Sequence, residues 1–496
     1  MNKLRLLRTT IASIILVAAT LLFLDFTGTL HSYIGWVAKV QFIPALLATH
    51  AAVIIILLAL TLIFGRLYCS VICPLGLFQD AVSKMASISN KKRKFKYTKA
   101  HNILRYTMLA LMIIAFFAGA ASFVALLDPY GAFGRIVSAL LSPLYKMGNN
   151  ILADFAQSAD SYAFYSVEVI WMSVGVIAVA CLTAVGVGIL AWRNGRTYCN
   201  TICPVGTILG FVSRFSLLKI RIDHSKCNGC QKCARNCKSA CIEPKTRDID
   251  YSRCVTCFDC IDSCNKGAIS YSRRGKQESQ ASGKPVDSSK RNMLAVTSAL
   301  AITSALKAEE KLVDGGLAAI EGKKAPKRHS QIVPAGAVSQ KNFATKCVGC
   351  QLCVTVCPSN VLRPSTSLMN FMQPEMSYEV GFCRPECNKC SQVCPAGAIN
   401  PIELPEKVST RIGCAVIKRD LCVISTDGVQ CESCATHCPV GAITLIEAKD
   451  KEKYGDLKIP TVQGSRCIGC GACENLCPAR PFSAIYVEGL KKHITI

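Results

Sequence analysis

Cysteine spacing constrains this chain more than any other feature. Most of its 31 cysteines fall into six quartets. They are Cys227, Cys230, Cys233 and Cys237; Cys254, Cys257, Cys260 and Cys264; Cys347, Cys350, Cys353 and Cys357; Cys383, Cys387, Cys390 and Cys394; Cys422, Cys431, Cys434 and Cys438; and Cys467, Cys470, Cys473 and Cys477. Quartets one, two, three and six have the C-x2-C-x2-C-x3-C spacing of bacterial ferredoxins. Three cysteines on one tight loop grip three irons of a cubane, while the fourth opens a helix and reaches a neighbouring cluster. Six [4Fe-4S] clusters and α+β ferredoxin-like domains are therefore expected. Gly229, Gly349, Gly469 and Gly471 are placed to turn backbone N–H groups toward cluster sulfurs.

Two competing readings are weak. Zinc needs paired C-x2-C motifs or histidines, not this three-plus-one pattern. A disulfide scaffold belongs to small secreted domains. Because fourth ligands are exchanged, quartets should act in pairs, Cys264 with the first cluster and Cys237 with the second. Cys241, four residues on, could replace Cys237. Quartets three to six fit either neighbour pairing or nested pairing (three with six, four with five). The longer spacings in four and five favour nesting.

The cysteine-free start of the chain is apolar. Runs at Thr9–Phe26, Gln41–Phe64, Ile103–Leu127 and Val167–Trp192 are each long enough to span a bilayer, so a four-span helical membrane domain is expected over 1–218. Trp36, Trp171 and Trp192 mark ends of these runs, as interfacial aromatics do. Residues 91–106 carry seven basic and no acidic side chains, against Arg135 and Lys146 facing three aspartates in 128–166. By the positive-inside rule, the 65–102 loop and both ends of the unit face the cytoplasm.

The unit is duplicated. Gly65-Arg-Leu-Tyr-Cys-Ser-Val-Ile-Cys-Pro-Leu-Gly76 matches Gly195-Arg-Thr-Tyr-Cys-Asn-Thr-Ile-Cys-Pro-Val-Gly206. Two helical hairpins should each end in this motif on one membrane face. Cysteines four apart share a helix face, so Cys69, Cys73, Cys199 and Cys203 could converge on a seventh cluster. A redox-active dithiol and a structural role are the alternatives.

Beyond the membrane unit, a two-cluster ferredoxin domain is expected over 219–272. A linker follows over 273–340, whose segment 293–306 reads as a twin-arginine export signal with Lys290 in place of the first arginine, or as a fifth span. A four-cluster domain is expected over 341–490. Cys181 reads as helix packing, Cys414 as an unpaired extra, and His50 as a helix contact or a quinone-site group. No C-x-x-C-H haem motif occurs. The net charge of +25 is partly offset by cubanes carrying roughly −2 each, and no nucleic-acid module is present.

Residues 1–270 resemble the NapH type of membrane polyferredoxin, on the duplicated G-R-x-Y-C-x3-C-P-x-G motif, Asp128-Pro-Tyr-Gly-Ala-Phe-Gly-Arg135 and the two-cluster ferredoxin. Residues 285–490 resemble its NapG-type partner, on the export-like segment, Val333-Pro-Ala-Gly-Ala337 and four quartets. The chain thus looks like a fusion of the two, related to the NosR and CcoG membrane 4Fe-4S proteins. The resemblance implies a quinol dehydrogenase component of the bacterial inner membrane. Menaquinol would donate electrons, and a periplasmic cytochrome or reductase would accept them. The two-cluster domain would be cytoplasmic and the four-cluster domain periplasmic. The alternatives are a maturation or regulatory factor that reduces metal or thiols, and ferredoxin-to-quinone transfer. Quartets one and two lack the usual following proline; Lys238 and Asn265 stand there.

Overall fold

The structure, a computed structural model, describes residues 3–89, 95–161, 163–273, 322–448 and 454–496, with strand fragments at 313–314 and 318–319. The export-like segment 293–306 and the basic residues 91–94 lie outside the described residues.

The N-terminal half is helical: α1 (Lys3–Leu24), α2 (Ala51–Phe64), α3 (Leu67–Val71), α4 (Pro74–Ser89), α5 (Asn102–Phe117), α6 (Ala121–Leu127), α7 (Pro129–Ile136), α8 (Ser142–Ser158), α9 (Val174–Asn194), α10 (Thr197–Thr201) and α11 (Pro204–Ser213). Three short helices link α1 to α2, and a π-helical turn, Val137–Leu141, joins α7 to α8. Among the described residues, α1 and α9 are long and apolar enough to cross a bilayer. Both keep large apolar side chains such as Ile14 and Leu182 exposed, as lipid-facing helices do. A third crossing is counted if α6 and the continuous segment Pro129–Ser158, bent by 75°, form one span.

The second and third expected spans are not single helices. Gln41–Phe64 breaks where Thr49 takes a left-handed conformation (φ 56°) and His50 caps α2. Ile103–Leu127 breaks at Gly119 (φ 78°). Hydropathy sums over such breaks, because one residue that reverses the backbone leaves the local composition apolar.

The duplication is real in three dimensions: α2–α3–α4 repeats as α9–α10–α11. Gly65 (φ 78°) and Gly195 (φ 74°) end α2 and α9, so each chain turns back into the bundle. Pro74 and Pro204 open α4 and α11, the first-turn position that proline favours.

The ferredoxin-like parts are small two-stranded antiparallel sheets around cysteine loops. Strands β1 (Leu218–Ile222) and β2 (Ile269–Arg273) pair in the first domain, with Ile220 opposite Tyr271. In the second domain, β3 (Leu362–Pro364) pairs with β4 (Pro374–Met376), β5 (Thr410–Ile417) with β8 (Ile485–Thr495), and β6 (Ile443–Glu447) with β7 (Lys458–Val462).

The two ferredoxin-like domains dock at opposite ends of α1, whose 22 residues span about 33 Å. At its N-terminal end Arg5 pairs with Asp259 (3.0 Å) and Asp262. Nearby, Tyr271 Oη donates to the Phe64 carbonyl at 2.9 Å. At the other end Lys389 Nζ donates to the Thr27 carbonyl at 2.8 Å. There α7 meets the loop of quartet three: a Cβ on Gly131 would fall 2.5 Å from the Val348 carbonyl, and one on Gly134 would strike the Cys350 carbonyl. One buried apolar core runs from Val255 and Cys257, through Cys69, Cys73 and Cys203, to Val348 and Cys350.

Candidate iron–sulfur sites

Cysteine loops form alike at each ferredoxin-type quartet. The residue before the second cysteine and the residue after it are both left-handed: Gly229 and Gln231, Thr256 and Phe258, Gly349 and Gln351, Gly469 and Gly471. Two such residues flanking one position turn successive N–H groups inward, an anion-binding nest. Glycine was expected at some of these positions. Gln231, Thr256, Phe258 and Gln351 adopt the same conformation despite its strain, so glycine alone undercounts the signal. Gly349 N donates to Cys347 Sγ at 3.4 Å and Ala442 N to Cys438 Sγ at 3.2 Å.

The cysteines ring small cavities. Cys254, Cys257 and Cys260 share one with Cys237 and Cys241. Cys383, Cys387 and Cys390 share one with Cys357. Cys467, Cys470 and Cys473 share one with Cys438, and Cys422, Cys431 and Cys434 one with Cys477. Cys347, Cys350 and Cys353 each lie within electrostatic reach of Cys394. Fourth cysteines therefore cross between neighbours, quartet three with four and five with six. The nested pairing that the long spacings favoured is not the arrangement formed. The extra residues of quartet five are taken up by a short helix, Val423–Thr426, and a loop beside its own cavity, not by a longer reach. In the first domain Lys232 Nζ donates to Asn265 Oδ1 at 3.0 Å, which brings the Cys264 segment to the first cysteine loop. Cys237 and Cys241 sulfurs lie 3.5 Å apart, so the second cavity has five thiols.

Among the described residues, no three His, Cys, Asp or Glu side chains converge closely enough to hold a single metal ion. Thiols spread around a cavity suit a cubane, whose four irons each take one thiolate, better than one tetrahedral zinc. Burial pushes the thiols of Cys347 and Cys470 up to about 12 and that of Cys434 up to about 11. Bare, they hold their protons at neutral pH, and cluster binding must displace them.

The C-x3-C-P cysteines also converge. Cys69, Cys73, Cys199 and Cys203 are each at most 5% exposed, and Cys203 lies within electrostatic reach of the other three. The two halves exchange arginines. Arg66 donates to Asn200 Oδ1 (2.9 Å), to the Cys199 carbonyl (3.3 Å) and to Cys69 Sγ (3.7 Å). Arg196 donates to the Cys69 carbonyl and to Asp80 (2.8 Å). Gly76 and Gly206 leave the space: a Cβ on either would meet the other half's arginine at 2.9 Å. Gln79 Nε2 and Gly206 N donate to Cys199 and Cys203 sulfurs at 3.2 and 3.4 Å. Two guanidinium nitrogens, Arg66 Nε and Arg196 Nη2, are buried without a hydrogen-bond partner. Four thiols, inward N–H groups and unspent buried cationic donors fit an anionic iron–sulfur cluster.

Arg66 also donates to the Ser252 carbonyl at 2.9 Å, two residues before Cys254. On the opposite side, Tyr68 lies within reach of Cys73 and Asp128, and Tyr130 within reach of Asp128, Cys350 and Cys394. The tetrad thus stands between the second cysteine cavity and the site of Cys350 and Cys394. This arginine and Asp80 network carried no signal in the cysteine pattern, although Arg66 and Arg196 sit within the repeat. His50 is exposed at its helix cap. Cys181 lies half-buried in α9. Cys414 stands on β5 beside Cys467, whose sulfur accepts from Ala415 N at 3.4 Å.

A family model described as a 4Fe-4S binding domain matches residues 49–96 and 174–223, the two segments that carry the tetrad. A 4Fe-4S dicluster domain matches 346–398 and 428–480. The chain is 31% identical over 161 residues to the methylamine utilization ferredoxin-type protein MauM of Methylophilus methylotrophus, covering 31% of this chain and 69% of that one. It is 32% identical over 152 residues to the ferredoxin-type protein NapG of Escherichia coli K12, covering 29% and 64%. An uncharacterized protein of Methanocaldococcus jannaschii is 26% identical over 242 residues, covering 48% and 75%. The chain thus spans about two thirds of the length of the MauM and NapG proteins. No solved structure matches it. On these matches and on the cysteine sites, the chain belongs to the MauM/NapG-type ferredoxin family and is a 4Fe-4S electron-transfer protein.

Proposed function

We propose that the chain accepts electrons from a membrane quinol, menaquinol being the expected one, and delivers them to a redox partner protein across the bilayer. The observation that carries this reading is the buried tetrad lying between two ferredoxin-like domains docked at opposite ends of α1. Residues 1–218 then form a multi-pass membrane unit, 219–272 a two-cluster domain on the cytoplasmic side, and 341–490 a four-cluster domain on the periplasmic side. The six ferredoxin quartets hold one cluster each and Cys69, Cys73, Cys199 and Cys203 a seventh. When bound, such clusters take up and give back single electrons, so two of them accept the pair released as a quinol gives up two electrons and two protons.

The protein's own part is to bind, insulate and space these sites. Arg66, Arg196 and Gln79 neutralise and hydrogen-bond the tetrad. The apolar core from Val255 to Val348 excludes water between sites. The Gly131 and Gly134 face lets the quartet-three loop lie directly on α7. A thiol-exchange role is less well supported, because exchange needs an accessible thiolate and all four tetrad cysteines are buried. A menaquinol analogue mixed anaerobically with the purified chain tests the reading by the absorbance of its clusters. Bleaching is expected; clusters that stay oxidised refute quinol oxidation.

A further inference from the structure

One large cavity lies outside the cysteine sites, between the membrane unit and the four-cluster domain. Its volume is 770 Å³, within the roughly 300–1,000 Å³ of small-molecule pockets, which favour such domain interfaces. One wall is the π-helical turn and the start of α8, with Ser138, Ser142 and Lys146, together with residues 170–173 before α9. The other is the four-cluster domain, including Thr355 and Arg363.

Three features define what fits. The lining includes Val354 and Thr355, which lie between Cys353 of the third quartet's site and Cys357, which serves the fourth. An occupant would sit within a few bonds of ligands to two redox sites. Trp171, 58% exposed, lines the cleft, and α8 turns its apolar residues Leu144, Ile151 and Phe155, 60, 57 and 71% exposed, to the face opposite its cleft-lining Ser142 and Lys146. An amphipathic helix beside a tryptophan at the start of a membrane-length helix is the pattern of a bilayer interface. The interior holds polar atoms with no partner: the Ser138 hydroxyl, on a residue 2% exposed, and Arg363 Nε. Ser138 lies in the π-helical turn, a distortion frequent at functional sites. The occupant should therefore have a small head with hydrogen-bonding oxygens, an apolar tail leaving past Trp171, and redox chemistry that uses the neighbouring centres.

We propose that this cleft is the head-group site of an isoprenoid quinol, with Ser138 Oγ and Arg363 Nε contacting its oxygens. The assignment rests on the quinol reading above and adds the location.

The test uses the full chain, purified anaerobically in lipid nanodiscs. The probe is 2-heptyl-4-hydroxyquinoline N-oxide, a quinol analogue whose fluorescence is quenched on binding. The variants are Ser138→Ala and Ser142→Trp, with iron content measured on each. Saturable binding to the parent chain is expected. Loss of one hydrogen bond in Ser138→Ala should weaken it by about three- to tenfold. Filling the cleft in Ser142→Trp should weaken it by about 100-fold or more, with iron unchanged. Should Ser142→Trp lose iron, Ser138→Ala decides, since it adds no atoms. Unaltered binding in the variants, with clusters still reduced by a menaquinol analogue, places the quinol elsewhere and overturns the location alone. Absence of both binding and reduction overturns the quinol reading with it. Binding that phospholipid displaces, without reduction by quinol, makes the cleft a lipid site and also overturns the proposal.

Discussion

Asp80→Asn is expected to be among the most destabilising single changes outside the cysteines. The Asp80 carboxylate lies where α1, α4, the second C-x3-C-P motif and the two-cluster domain meet. It accepts from Arg196 Nε at 2.8 Å, from Lys238 Nζ at 2.9 Å and from Arg8. Arg196 is fully buried and Arg8 is 6% exposed. Asparagine keeps the shape but removes the charge, leaving two buried guanidinium groups without a counter-ion. Lys238 keeps Asp259 at 3.1 Å and loses less. Breaking a buried pair this way costs about 3–5 kcal/mol, and several cations share the loss here, so the upper half of that range is expected. Burial alone would raise the Asp80 pKa, but Arg196 and Lys238 beside it hold the carboxyl well below the usual carboxylate range. A depressed pKa contributes stability that is fully present above the unfolded value, about 3.9, and is lost as pH falls through the folded one. The parent should therefore lose stability below about pH 4, and Asp80→Asn should lack that part of the acid limb. The assay is denaturant unfolding of the nanodisc-embedded chain across pH, with iron retention read in parallel. A variant within about 1 kcal/mol of the parent at pH 7, with the same acid limb, would refute the buried-charge reasoning. It would mean that water screens the site as at a surface pair.

Gly134→Val should loosen the docking of the four-cluster domain by about 1–3 kcal/mol, an overpacking cost. Even the first added carbon falls 2.7 Å from the Phe23 ring. Faster hydrogen exchange over 347–353 with unchanged iron content checks it. Cys203→Ala should remove about four irons per chain and leave the ferredoxin-type signals intact by electron paramagnetic resonance. Cys357→Ala should disturb the cluster site of Cys383, Cys387 and Cys390, not that of its own loop; isolated 346–398 spectra that change only in the Cys347 site would contradict the crossed pairing. Reconstituting the apo chain with iron and sulfide in weakly buffered solution at pH 7 should release more protons than the incorporated sulfide accounts for, since burial holds the Cys347, Cys434 and Cys470 thiols protonated. A pH-stat reading of no base uptake beyond that due to the sulfide would contradict it.

The cysteine quartets and the duplicated motif were readable because cluster ligation fixes residue type and local spacing together. The convergence of Cys69, Cys73, Cys199 and Cys203 followed from the repeat. Partner choice among quartets three to six was not readable, since spacing within a quartet does not say which loop lies nearest in space. Nor were the breaks at Thr49 and Gly119, which interrupt hydrogen bonding without altering hydropathy. Glycine counting found Gly349 and Gly469 but missed Thr256 and Phe258, which take the same strained conformation. Asp80, Lys238 and Arg8 gave no local signal, because their meaning lies in contacts among segments far apart in sequence. The same holds for the cleft, whose walls come from 138–146, 170–173, 325–379 and Lys491.

Iron and acid-labile sulfide per chain, counted after anaerobic purification of the full-length protein, test the central claim most directly. Seven cubane sites predict about 28 of each. A count near 24 would empty the buried tetrad, and a count clearly below that would contradict the assignment of the six cysteine quartets.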